Sequence, residues 1–174
     1  MLSVVFLVAA CTMPSSSPNV TPAATVETSS TESTICAVAA DLRHAQEVHV
    51  QPYSDLVVKW IISTDEVPQS VKDEAKMHLI GILADLNKNA SNFLDVRSPE
   101  YASLIVDLQH AYVGYGTAAM GLLKMSEAGG SPLEDLSPAA IDLAQSMADG
   151  TSSLLSAQSA MEMLDASGSL ICAG

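Results

Sequence analysis

The residues best suited to chemistry occur in a short motif, Asp-Leu-x-His, that appears twice, at Asp41–His44 and at Asp107–His110. Dinuclear metal sites in helical bundles use Glu-x-x-His pairs of the same spacing, together with a Glu from each of two further helices. In both copies here the leucine falls on the apolar face of a helix. At about 100° per residue, the acid and the histidine then point to the flank or to solvent. We therefore predict no metal site and interpret both pairs as solvated flank residues.

A second group of candidate residues centres on His49, which lies within the apolar stripe of the first predicted helix. Counting back from the first loop places His49 level with Asp85 on an antiparallel second helix. His78 borders the same face, and we expect it to reach Tyr115 on the third helix. A buried imidazole needs a hydrogen-bond partner, so we interpret His49 and Asp85 as a structural pair. The alternative is a haem or metal ligand, or an acid-sensing pair.

Motifs of common catalytic sites are missing from the sequence. It contains no Gly-x-Ser-x-Gly elbow, no Gly-Lys-Ser/Thr phosphate loop, no His-Glu-x-x-His and no Cys-x-x-Cys. Aromatic residues make up only 4% of the chain, which does not indicate a stacking platform for sugars or bases. We predict a protein that is not an enzyme and that has no cofactor.

Apolar residues recur at spacings of three and four, which predicts four helices. The apolar phase continues across Pro52, which favours one long first helix with a kink there; the alternative is a break near Val50. Similar helix lengths and short connections predict an all-α, antiparallel up-and-down four-helix bundle. The predicted helices cover residues 35–64, 70–95, 99–128 and 138–166, with Ser98-Pro99 and Ser137-Pro138 as N-terminal signals for the last two.

Small residues form a stripe on the third predicted helix, next to its apolar face. They allow two helix axes to approach closely, and we expect them to serve packing within the bundle. A recess for a partner helix is the alternative. The stripe consists of Ala111, Gly114, Ala118 and Gly121.

The first ten residues are apolar except for Ser3, and Cys11 follows them in the stretch Leu7-Val8-Ala9-Ala10-Cys11. This ending resembles the lipobox of bacterial lipoproteins. The resemblance implies that residues 1–10 are a signal peptide, and that Cys11 is lipidated and becomes the first residue of the mature protein. An ordinary secretory signal and an uncleaved apolar tail are the alternatives.

Lipid on Cys11 would leave Cys36 and Cys172 as the remaining cysteines of an exported protein. In an up-and-down bundle, the start of the first helix and the end of the last lie at the same end. We therefore predict a disulfide between Cys36 and Cys172. Two reduced cysteines would instead require a cytosolic protein.

Residues 11–34 are rich in Ser, Thr and Pro and have no basic side chain. Such a segment buries too little apolar surface to fold alone, so we predict a flexible tether; a structured arm is the alternative. The helical domain then covers residues 35–174. The formal charge of −13 argues strongly against nucleic acid as a partner, because nucleic-acid binding depends on cationic contacts to phosphate.

Together these features predict a protein of the cell membrane, anchored by lipid, with its domain on the extracytoplasmic side. We expect a non-catalytic protein-binding or exclusion module, with another envelope or extracellular protein as its partner. The alternative is an envelope carrier or sensor that holds haem, metal or a small apolar molecule in the bundle core, using His49, His78 and nearby tyrosines.

Overall fold

The structure, a computed structural model, is all-helical over residues 23–172, which it describes apart from the side chains of 23–29 and 90–92. The predicted signal peptide, Cys11 and the first half of the tether lie outside the described residues. No helix within the described part is long and apolar enough to cross a membrane. The α-helices are α1 (Ala23–Ala45), α2 (Gln51–Ile61), α3 (Gln69–Leu86), α4 (Ala102–Glu127) and α5 (Pro138–Ser167).

Helix α1 begins at Ala23, so residues 23–34, which we assigned to the tether, are helical. A contact of Glu32 accounts for part of this extension. The Tyr101 hydroxyl lies 2.8 Å from the Glu32 carboxylate and 2.7 Å from the Ser169 carbonyl, and these two acceptors share its single hydrogen. Glu32 therefore links the helix to the start of α4 and to the C-terminal segment.

A π-helical segment, Gln46–Val50, joins α1 to α2 without a break in the helix. The backbone N–H of Gln51 donates to the carbonyl of Gln46, five residues back instead of four. Pro52 follows in the first turn of α2. Proline has no N–H to donate and its ring crowds the carbonyl four residues before it, which accounts for a wider turn at this point.

At the wider turn the buried position moves by one residue, from the predicted His49 to Val50, whereas Tyr53 beyond Pro52 is buried as predicted. The core side chains pass from Ala45 directly to Val50, both buried, and continue to Tyr53. His49, which we placed inside the stripe, lies beside it and is partly exposed. A spacing of five residues between buried positions is what a π turn produces.

The second and third helices differ from prediction at the connection between them. Helix α3 ends at Leu86 rather than near residue 95, and a 3₁₀-helix, Ala90–Asp95, follows it. Asn87 and Asn89 favour turns over helix, which accounts for the earlier end. Helix α4 starts after Tyr101, so the predicted start at Ser98-Pro99 is three residues too early.

The ends of α5 agree with the sequence signals. The Ser137 hydroxyl accepts a hydrogen bond from the Ala140 N–H, and Pro138 is the first helical residue. The helix ends at Ser167, and Gly168 follows with a φ of 72°, a conformation in which glycine carries no steric penalty.

The predicted disulfide is confirmed: Cys36 of α1 is bonded to Cys172, and their Cα atoms are 5.4 Å apart. The two cysteines are separated by 136 residues, so the bond closes most of the folded chain into one loop. A loop of this length restricts the unfolded chain strongly and is worth about 4 to 5 kcal/mol in the chain-entropy model.

Helices α4 and α5 make the largest helix–helix contact, through small residues. Gly114 of the predicted stripe faces α5 at close range: a Cβ on it would lie 2.6 Å from the Ser146 carbonyl oxygen and 2.9 Å from the Gly150 Cα. Gly150 in turn lies against the ring of Tyr115. This stripe member therefore packs within the fold, as we expected.

We expect Gly114→Ala to destabilise the protein by about 1 to 3 kcal/mol, because the new methyl group meets rigid backbone and the two helices must separate. Gly116→Ala is the matched control. Its Cβ meets only the Leu86 side chain at an ordinary 3.6 Å, so the usual helix preference for alanine gives a gain of up to about 1 kcal/mol. Urea unfolding of both variants measures the difference. Equal effects of the two substitutions would contradict the close approach at Gly114.

We expect a Cys36→Ala, Cys172→Ala double variant to lose about 2 to 5 kcal/mol of unfolding free energy. Denaturant titration with and without a thiol reductant measures this loss. Reductant should lower the stability of the wild type towards that of the double variant and leave the double variant unchanged. If the wild-type protein keeps its stability after the disulfide has been shown to be reduced, the disulfide does not contribute to stability.

Candidate functional site

A cluster of ionisable side chains lies between the end of α1 and the end of α3, with Asp85 at its centre. The Asp85 side chain is only 4% exposed. It lies in the last turn of α3, between the buried Ile82 and Leu86. A carboxylate taken out of water at this depth needs partners that compensate for lost hydration.

Three side chains surround the two oxygens of Asp85. Lys88 Nζ donates to Oδ1 at 2.6 Å, and His44 Nδ1 lies 2.6 Å from Oδ2. His49 Nε2 lies 3.7 Å from the same Oδ2, beyond hydrogen-bonding distance. The predicted direct bond between His49 and Asp85 is therefore replaced by a bond from His44, which we had assigned to a solvated flank.

The remaining side of the cluster is formed by His78 and Gly81 of α3. His78 Nδ1 lies 3.5 Å from His49 Nδ1, and the two ring centres are 5.8 Å apart. The His49 ring lies directly over Gly81, where any Cβ would collide with it. Gly81 thus provides the space that lets the His49 ring rest against α3.

The wider π turn explains why two histidines five residues apart both reach Asp85. On an ordinary α-helix His49 would point about 140° away from His44. In a π turn the hydrogen bond joins residues five apart, so residue i+5 lies above residue i. The π segment Gln46–Val50 begins two residues after His44 and contains His49, so both rings face α3.

Burial and neighbouring charges act in opposite directions on the groups of the cluster. Burial raises the pKa of Asp85, but the hydrogen bonds from Lys88 and His44 outweigh it and hold that pKa below its usual value. Burial lowers the pKa of His49; the Asp85 charge opposes this, while His78, His44 and Lys88 add to the lowering. The site thus favours an ionised Asp85 beside a neutral His49.

Tyr115, which we expected near His78, lies elsewhere. It is fully buried, and its hydroxyl is 3.2 Å from the Thr151 Oγ1 of α5. Thr151 donates onward to the Met147 carbonyl at 3.1 Å, so Tyr115 is the donor to Thr151. Tyr115 is therefore part of the α4–α5 packing and separate from the histidine cluster.

The second Asp-Leu-x-His motif forms no comparable cluster. Asp107 accepts a hydrogen bond from the Ser156 hydroxyl at 2.7 Å, and His110 is exposed on α4. Of the two copies, only the first lies next to a π turn and a buried acid. His44 and Lys88 are the cluster members that the sequence analysis missed. A usable signal was present, since Pro52 follows two histidines spaced by five residues.

The arrangement offers two kinds of chemistry: proton exchange between imidazole and carboxylate, and coordination of a cation. The nitrogens of His44 and His49 and an oxygen of Asp85 lie within 4.8 Å of one another. Neutral imidazole and carboxylate are common ligands of zinc and other divalent transition metals.

We compared the chain with protein-family models, with curated proteins and with solved structures, and none of the three comparisons gives a match.

We expect the free energy of unfolding to fall as the pH is lowered below about 6.5, in buffer containing a chelator. His49 has a lowered pKa when folded, so the unfolded chain takes up its proton first and is favoured as pH falls. Asp85 adds a second loss below its unfolded pKa of about 3.9, because its folded pKa is depressed.

Urea titrations between pH 7.5 and 5 measure the first of these two effects. His49→Gln should make the unfolding free energy less dependent on pH in this range. His110→Gln is the control and should keep the wild-type dependence, because His110 lies outside the cluster. A wild-type slope that survives unchanged in His49→Gln would exclude His49 as its source.

Proposed function

We propose that this protein is anchored by lipid on Cys11 to a cell membrane, with its helical domain on the extracytoplasmic side, where it binds another protein without catalysis. Two features support the compartment. The ending Leu7–Cys11 resembles a lipobox, and the Cys36–Cys172 disulfide is typical of proteins in oxidising compartments. The observation that carries the binding function is an apolar groove between α3 and α4.

We further infer that the helices form an antiparallel up-and-down bundle with a bend at Pro52. Residue pairs between helices support the topology, because the numbers rise along one partner as they fall along the other. Between α1 and the end of α3, the pairs are Asp41–Asn89 and His44–Asp85. Between α4 and α5, including the residues that flank them, the pairs are Tyr101–Ser169, Asp107–Ser156 and Tyr115–Thr151. The π segment and Pro52 support the bend.

The groove between α3 and α4 encloses about 340 Å³ and is open to solvent. Its floor includes Gly116, whose missing side chain deepens it. Val113 and Met120 stand one heptad apart on the same face of α4, and each is 51% exposed. The lining residues are Leu83, Leu86, Asn87, Tyr112, Val113, Gly116, Thr117 and Met120.

An exposed apolar face continues beyond the groove along α4. Val106 lies one heptad before Val113 and is also largely exposed. Apolar side chains at this spacing form a continuous stripe on a helix surface. Adjacent exposed apolar residues arranged along a groove are typical of a docking surface, whereas isolated ones are common on any protein.

The occupant that fits best is an amphipathic helix of a partner protein. A groove between two neighbouring helices can accept the apolar face of a third helix. The apolar side chains of that third helix enter the groove at spacings of three, four and seven residues. The net charge of −13 favours a partner helix whose polar flanks are basic, because opposite charges speed encounter and fix orientation. The same charge argues against nucleic acid as the partner.

We expect native mass spectrometry of the protein, extracted gently from membranes of its own host, to show a diacylglyceryl mass on Cys11 and a bound partner. Val113→Glu should remove the partner, since it introduces a charge into the apolar surface. The same substitution at Val58, which is 64% exposed on α2, is the matched control and should retain the partner.

Three outcomes would count against this proposal. An unmodified Cys11 would refute the lipid anchor. A partner lost equally from Val113→Glu and Val58→Glu would refute the groove as its binding site. Protein that is anchored by lipid but extracted alone at every detergent concentration would refute the binding function.

A further inference from the structure

We propose that His44, His49 and Asp85 form a binding site for one divalent transition-metal ion of the zinc class. This inference is independent of the groove and of the partner proposed above. It replaces our sequence-based prediction of no metal site, which treated His44 as a solvated flank residue and His49 and Asp85 as a structural pair. The site lies on the flank of the fold between α1 and α3, not in the core.

The donor atoms are already close to the separations that such an ion requires. Zinc binds imidazole nitrogen at about 2.0–2.1 Å and carboxylate oxygen at about 2.0–2.2 Å, which puts two donors of one ion roughly 3 to 3.4 Å apart. His49 Nε2 and Asp85 Oδ2 are 3.7 Å apart, and His44 Nδ1 and the same oxygen are 2.6 Å apart. All three donor atoms lie within 4.8 Å of one another, so side-chain shifts of about 1 to 1.5 Å admit the ion.

His44 lies too close to Asp85 for an ion to fit between them, and its side chain is free to move away. The His44 side chain is 52% exposed, so its ring can swing outward without disturbing the core. Its bond to Asp85 in the metal-free protein uses the same nitrogen that would bind the ion. When the ion enters, the neutral ring carries its proton on Nε2 instead.

The neighbouring residues orient the ligands as a second coordination shell does. His78 faces Nδ1 of His49, so a proton on that nitrogen leaves Nε2 with its lone pair towards Asp85. Lys88 binds Oδ1 and leaves Oδ2 for the ion. Histidine ligands in metal sites commonly have their second nitrogen held in this way.

The electrostatic setting also suits a cation. Burial lowers the pKa of His49, so its ring is available in the neutral form that binds metal. An ion with a charge of +2 would compensate the buried carboxylate more fully than the hydrogen bond from His44 does. Three protein ligands leave a fourth position for water, as in open zinc sites. Lys88 opposes binding, since it brings a positive charge to Asp85.

The test is titration of zinc chloride into the full chain, without an affinity tag and free of metal, followed by calorimetry. Cys11→Ser serves as the background, because a free thiol would bind zinc itself. We expect one zinc ion per chain. His44→Ala should weaken binding by about 100-fold or more, and His78→Ala by about tenfold as a second-shell loss.

Two matched variants separate a built site from general attraction to an acidic protein. His110→Ala removes an exposed histidine from the other Asp-Leu-x-His motif and should leave zinc affinity unchanged. Gly81→Ala displaces the His49 ring and should weaken binding, whereas Gly116→Ala on α4 should not. Circular dichroism in the presence of chelator verifies that each variant is folded.

The Lys88→Met variant should change zinc affinity in the opposite direction. Removal of the competing positive charge should make zinc binding tighter. The proposal is overturned if the background protein binds no stoichiometric zinc. It is also overturned if folded His44→Ala binds zinc as tightly as the background does. His44 is largely exposed, so this second result can be obtained even if Asp85→Asn or His49→Ala fails to fold.

Discussion

Pro52 has no backbone N–H, and the first helix adapts to this by widening one turn. The Gln46–Val50 segment takes up an extra residue, and its hydrogen bond spans five positions. This local change has two effects at once. It carries the buried stripe from Ala45 to Val50, and it places His49 above His44 on the neighbouring face. Helix packing and the histidine cluster thus depend on the same turn.

Asp85 sets the second constraint, because a buried carboxylate is costly unless it is compensated. Burial opposes its ionised form, yet the hydrogen bonds from Lys88 and His44 hold its pKa below the usual value. Of these two, Lys88 comes from the residues just after α3 and His44 from α1. Only the bond from His44 joins two elements, and desolvation of the buried carboxylate cancels much of the attraction from both partners.

Helix α3 is shared by the groove and the cluster. Asp85 faces α1, whereas the next residue, Leu86, lies against α4 near Gly116. Consecutive residues point about 100° apart, so one helical turn presents a polar face to one neighbour and an apolar face to the other. A substitution that tilts α3 would alter both surfaces. Variants confined to exposed side chains, such as His44 or Val113, separate them.

The helices and the disulfide were predictable because they rest on patterns that a single sequence carries. The start of α5 follows from Ser137-Pro138, and the Cys36–Cys172 bond follows from the expected bundle topology. The extension of α1 was not predictable from composition, because Glu32 is held by Tyr101, which is 69 residues away. Long-range contacts of this kind override local preference.

The histidine cluster was missed for a different reason. A helical wheel at 100° per residue assumes one regular period, and that assumption separates His44 from His49. The sequence nevertheless carries the correction: Ala45 and Val50 are apolar, His44 and His49 share their spacing, and Pro52 follows at once. A five-residue spacing in both the apolar pair Ala45 and Val50 and the histidine pair His44 and His49, just ahead of a proline, indicates a π turn. Such a pattern therefore requires residues five apart to be considered as neighbours before a metal site is excluded.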